Sequence, residues 1–146
     1  MANTRQSIID AIDTQLKTIL IANGYDTDLG SNVFEWRQVP LQESELPALI
    51  YRDVTSEIEI IVLDRHTHIL NLEVEVKTQP GSTSGSLARK MIADVIKAIG
   101  VDHTWGALAI KTDPVSSEIV FEQHEKIITG AIINFEITYR TDLWRL

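Results

Sequence analysis

Apolar residues recur at steps of three and four in the opening stretch of the chain. Ile8, Ile12, Leu16 and Ile19 or Leu20 form one stripe, widened by Ile9, and predict an amphipathic helix over residues 4–22. Asn3 or Thr4 can cap its start, and Asn3 with Gln6 has the spacing of a loose capping box. Asn23-Gly24 ends it, because glycine tolerates the left-handed conformation that closes helices. After a turn-rich segment, 25–32, the period changes to two, the mark of strands with one buried face. Val33–Arg37, Ala48–Arg52, Ile58–Leu63 and Ile69–Val76 read as four strands, and Asp64-Arg65-His66-Thr67-His68 as a hairpin turn between the last two. The cleanest alternation places Leu70, Leu72, Val74 and Val76 on one face and Asn71, Glu73, Glu75 and Lys77 on the other. A polar segment, 78–86, reads as a loop and feeds a second helix, about 86–99, whose Leu87, Met91, Val95 and Ile99 step by four until Gly100 closes it. Ala107–Lys111, Ile119–Glu125 and Ala131–Arg140 complete the pattern as three strands. The order is helix, four strands, helix, three strands. It predicts a single α+β domain over 1–146, with a mostly antiparallel or mixed sheet and both helices packed on one face.

Composition narrows this picture. A chain of 146 residues buries enough surface to fold without staples, and the absence of cysteine removes disulfides and thiolate chemistry. No apolar run reaches the length of a membrane helix, and the N-terminus does not begin as a signal peptide, so the expected address is the cytoplasm. With 21 acidic residues against 13 dispersed basic ones, the net charge of −8 opposes nucleic-acid binding through phosphate neutralisation.

Candidate chemistry is sparse. His66 and His68, at i and i+2 on extended chain, would point the same way and could share a metal with Asp64 nearby. No obvious third and fourth ligand accompanies them, so a polar hairpin with solvated histidines is the expectation. A small metal-dependent enzyme using His66, His68 and a remote acid is the alternative. The run Gly81–Ser86 opens a helix but lacks the Gly-Lys-Ser/Thr ending of a phosphate loop, and no GxGxxG or GxSxG occurs. The pairs Glu57/Glu59 and Glu73/Glu75 each point to one side of a strand, as the polar face of a sheet does; Glu43 and Glu45 form a third pair. Trp36, Trp105 and Trp144 lie at a strand, a turn and the C-terminal tail. A Trp in Leu143-Trp144-Arg145-Leu146 either folds back on its own domain or anchors on a neighbour.

The segments Ala22–Gly30, Val33–Arg37, Ala88–Gly100 and Gly130–Leu146, with its Tyr139-Arg140-Thr141 ending, resemble the tail terminator and minor tail proteins of tailed phages, of the lambda-like type. The resemblance runs the whole chain and rests on core and turn residues. It implies a structural protein of a phage or prophage, not an enzyme, with no catalytic, cofactor or metal residues. Such a protein forms a homo-hexameric ring, or stays a monomer in isolation until it meets a tail; the ring caps the tail tube, stops its polymerisation and offers a surface for the head. The implied partners are further copies of the chain, the major tail tube protein and a head-completion or connector protein. DNA passes through without specific binding, no membrane is involved, and the location is the virion tail after synthesis in the host cytoplasm. On this basis Trp105, Tyr139 and Trp144 are candidate interface residues. Glu57, Glu59, Glu73 and Glu75 are candidates to line an acidic lumen that repels DNA phosphates.

Overall fold

A computed structural model describes residues 3–37, 39, 41–62, 64–78, 84–123 and 127–146. It shows an α+β fold: a five-stranded mixed sheet with two helices on one face. Helix α1 spans Thr4–Leu16. Its cap is Asn3, whose side chain accepts the Gln6 N–H at 2.7 Å. The helix ends six residues earlier than its apolar periodicity predicts. Ile19 still reaches the core, but from a turn, and the segment to Asn23 finishes in a short 3-10 helix closed by Gly24 at φ 90°.

Strand β1 (Val33–Glu35) pairs in parallel with β2 (Ala48–Val62). Strands β3 (Arg65–Lys77), β5 (Ile127–Asp142) and β4 (Lys111–Gln123) continue the sheet antiparallel, in the order β1-β2-β3-β5-β4. Helix α2 (Ser84–Gly100) lies between β3 and β4 in the chain and packs on β5, β4 and β3. Both helices share one core. Ile8, Ile12 and Leu16 of α1 and Met91 and Val95 of α2 are buried with Leu70, Val74, Ile133 and Ile137 of the central strands. The opposite face of the sheet carries no helix among the described residues.

The strand count corrects the sequence-based expectation of seven. Ala48–Arg52 and Ile58–Leu63 belong to one strand, β2, with Leu63 outside the described residues. The run Asp53-Val54-Thr55-Ser56 hides that continuity, because a register shift there interrupts the alternation while pairing with β3 continues. Ala107–Lys111 is not a strand. Residues 101–110 are turns, with Trp105 and Ala107 at positive φ, and β4 begins at Lys111. The punctuation at Pro114 and Ser116-Ser117 lies inside β4. An edge strand tolerates proline because one side of its backbone needs no partner. His66-Thr67-His68 is no hairpin turn: all three residues lie in β3 and are buried. The second helix starts at Ser84, within the expected loop; residues 79–83 of that loop lie outside the described residues, as do 124–126.

Candidate functional site

The uncovered sheet face is built by two different routes. In β3 it follows from simple alternation, which puts Asn71, Glu73, Glu75 and Lys77 opposite the core residues Leu70, Leu72, Val74 and Val76. In β2 it depends on the register shift. Before the shift Tyr51 pairs with Val74 on the core face and Arg52 with Glu73 on the open face; after it Ser56 pairs with Leu70 and Glu57 with Ile69. One extra residue therefore inverts the parity of β2 and brings Glu57 and Glu59 to the face that Glu73 and Glu75 occupy. The four glutamates named from the sequence share one face of one sheet.

They are not equivalent. The Arg52 guanidinium bridges Glu73 at 2.9 Å and Glu75 at 3.0 Å, and Lys77 lies 3.5 Å from Glu75. Glu57 and Glu59 are exposed and make no ion pair among the described residues. The pairing registers place Lys111, Arg140 and Arg65 on the same face at that end, so Glu57 and Glu59 stand among basic side chains without a direct ion pair among the described residues.

The aromatic candidates separate by burial. Trp105 is in the core, 5% exposed, and its indole N–H donates to the Thr112 hydroxyl at 2.9 Å. Tyr139 is fully buried, its ring stacked on His68 with centroids 4.6 Å apart, and burial pushes its phenol upward. Both are buried in the core of the chain, which corrects their assignment as interface side chains. Trp144 differs. Its backbone folds back onto the domain: its N–H donates to His66 Nδ1 at 3.3 Å, the Thr141 hydroxyl donates to the Arg145 carbonyl at 3.2 Å, and Leu146 O accepts the Arg5 N–H at 3.3 Å. Its side chain remains 89% exposed, edge-on to His66, at a φ of 63°. A left-handed tryptophan held by these contacts is presented outward.

The histidine pair lies beneath this tail. His68 Nε2 and the Thr141 hydroxyl are 2.8 Å apart, and His66 Nδ1 is the acceptor for Trp144. Burial, with His66 and Arg5 nearby, holds the His68 imidazole below its ordinary value. Among the described residues no group of three or more His, Asp and Glu side chains is placed to hold a metal ion. Asp64 is exposed at the hairpin end and makes no hydrogen bond to either ring.

Sequence reasoning missed two polar sites. Asp94, 2% exposed on α2, accepts hydrogen bonds from the Asp26 and Thr27 N–H groups and the Thr27 hydroxyl, at 2.6–3.1 Å, and so fastens the segment after α1 onto α2. A carboxylate set between Ile92 and Val95 on an amphipathic helix was the available signal. The second site is a cleft between α1 and β1 lined by Asp10, Asp13, Glu35 and Tyr51. There Tyr51 donates to Asp13 at 2.8 Å, and burial together with Asp53, Asp13 and Asp10 raises the Glu35 carboxyl above its usual range.

Compared with known proteins, the chain matches no family model and no curated sequence. No helix among the described residues is long and apolar enough to cross a membrane.

Proposed function

We propose that the chain is a structural subunit of a phage or prophage tail, assembling as a hexameric ring that caps the tail tube, ends its polymerisation and offers the head-joining surface. The observation that carries this reading is the division of the sheet into two faces. One face is packed under both helices; the other is open and gathers Glu57, Glu59, Glu73 and Glu75. A ring that turns this open face inward has an acidic bore, which repels DNA phosphates and lets the duplex pass. The helical layer then lies outward, where head and tube proteins have access. The resemblance of the chain to tail terminators supplies the ring number and the partners: copies of itself, the tail tube protein and a head-completion or connector protein. The role is structural rather than catalytic, and its place is the virion tail.

The test is tube length. Tail tube protein polymerised from tail tips, with and without this chain, is measured by electron microscopy. The reading expects tubes that stop growing and carry a cap of density at one end when the chain is added. Tubes that lengthen equally in its presence contradict it.

A further inference from the structure

The segment Leu143–Leu146 follows β5 and is fastened to the domain by three hydrogen bonds. The Trp144 N–H donates to His66 Nδ1 at 3.3 Å, the Arg5 N–H at the start of α1 donates to the Leu146 carbonyl at 3.3 Å, and the Thr141 hydroxyl donates to the Arg145 carbonyl at 3.2 Å. The indole adds little to this hold, being exposed and edge-on to His66. At a φ of 63° Trp144 occupies the left-handed region, which a bulky residue keeps only while its surroundings impose it. The segment is strained and lightly held, so each of its three bonds counts.

One of the three depends on a proton. A neutral imidazole accepts at Nδ1 when its own hydrogen is on Nε2; an imidazolium carries a hydrogen on both nitrogens and accepts nothing. Protonated His66 would therefore turn a donor toward the Trp144 donor. The other two acceptors are peptide carbonyls, which do not titrate in this range. The Thr141 hydroxyl has a single hydrogen and gives it to Arg145, so it accepts from His68 Nε2 at 2.8 Å, and protonation of His68 at Nδ1 leaves that bond intact. The groups around His66 do not favour a charge on it. Its own strand brings His68, with ring centroids 6.2 Å apart, and β5 brings Thr141 opposite it and Tyr139 one step further. The tail brings Arg145 and β2 brings Ile58, both lining one groove with His66. Helix α1 brings Arg5, whose guanidinium is held by Asp53 at 2.8 Å. Arg65, Asp142, Glu57 and Glu59 lie on the opposite face of the sheet. Among the described residues no carboxylate bonds to His66, which is itself buried, so its imidazolium gains by reaching water. The indole face attracts an imidazolium, weakly at so exposed a ring, but it offers the Trp144 N–H no acceptor.

We propose that His66 is a pH latch for the segment Leu143–Leu146: neutral, it clasps the Trp144 backbone and fixes the outward aim of the indole; protonated, it lets the segment go. The clasp is complete above the range in which imidazoles titrate and is lost as the pH falls through it, between about pH 8 and about pH 5. Any contact made through the Trp144 ring then depends on pH, because the ring keeps one orientation only while the latch is shut. The latch is independent of the ring reading above and is read on the purified chain.

The chain has three tryptophans, so protein labelled at tryptophan nitrogen gives three backbone amide signals by NMR. The Trp36 N–H donates to the Tyr51 carbonyl at 3.1 Å and the Trp105 N–H to the Asp102 carbonyl at 3.2 Å, which makes both internal controls. Hydrogen exchange of the three amides is measured at about pH 8 and about pH 5, with the intrinsic pH dependence of exchange divided out. The expected result is protection at Trp144 about tenfold lower in acid, roughly the worth of one hydrogen bond, with Trp36 and Trp105 keeping theirs. Two variants separate the latch from general acid sensitivity. His66→Asn offers an amide oxygen close to the Nδ1 position, an acceptor that does not titrate, and should keep Trp144 protected at both pH values. His66→Phe keeps a ring against the indole without an acceptor, and should leave Trp144 unprotected already at the higher pH. Circular dichroism and the melting temperature check that each variant folds. Equal protection of Trp144 at both pH values in the native chain overturns the latch. So does an equal fall at all three tryptophans, which is global opening, or an acid loss that persists in His66→Asn, which assigns the effect to another group.

Discussion

His68 sits with its ring fully buried against Tyr139, one nitrogen near the Thr141 hydroxyl and the other, Nδ1, without a hydrogen-bond partner. A protonated imidazole there is strongly disfavoured, so the folded chain binds that proton less readily than the unfolded one does. Its contribution to stability is therefore complete above the unfolded value near 6.5 and is lost as the pH falls through the lower folded value. Urea midpoints measured between pH 8 and pH 5 are expected to fall on the acid side, and His68→Phe, which keeps the stack on Tyr139, should flatten that fall. An unchanged slope in the variant would assign the acid sensitivity to other groups. Asp94 makes a second residue-scale prediction. Asp94→Ala leaves two backbone N–H groups and the Thr27 hydroxyl without their acceptor, at a cost of about 2–3 kcal/mol in the free energy of unfolding from urea titration. At this scale the chain disclosed residue types but not their burial. His66 and His68 read as a polar turn because Asp64 and Arg65 precede them. Tertiary packing under the tail, absent from any local pattern, took them inside.

Elements were legible wherever one period held without interruption. The alternation from Leu70 to Val76 and from Ala131 to Tyr139 identified the two central strands, and the four-residue steps of Leu87, Met91, Val95 and Ile99 identified α2. Reading failed at the edges. In β2 the register shift at Asp53/Thr55 reverses the parity, so one strand looked like two. In β4 the bulge at Pro114/Ser116 and the largely exposed side chains left no alternation to detect until Ile119. Edge strands bury little, and their sequences record the backbone pairing only weakly. The tightest constraint on the sheet is invisible to hydropathy altogether. A Cβ at Gly130 would lie 2.7 Å from the Val76 carbonyl oxygen, a backbone atom with no freedom to yield. Gly130→Ala should cost about 1–3 kcal/mol by forcing β5 away from β3, read as a lower denaturation midpoint. An unaltered midpoint would mean that the strands separate there without penalty.

For the whole molecule, the α+β class and the one-sided helical layer followed from element order, whereas the gathering of four glutamates on the free face required the bulge. That gathering also changes what each one contributes. Arg52 offsets part of the charge on Glu73 and Glu75, and Lys111 and Arg140 lie level with Glu57 and Glu59, so the repulsion the proposed bore needs depends on all four glutamates together. Replacing all four glutamates by lysine should give assembled rings that retain duplex DNA at low salt and release it as salt rises. Rings of that variant that still fail to hold DNA at low salt would remove the open face from the bore. The central claim, that this chain is a ring-forming subunit, is tested most directly by measuring particle mass together with negative-stain images of the purified protein at high concentration with added divalent cation. The account predicts closed six-fold rings with the mass of six chains, on their own or once tail tubes are added; a chain that stays monomeric even with tail tubes present, or open filaments that never close, would contradict it.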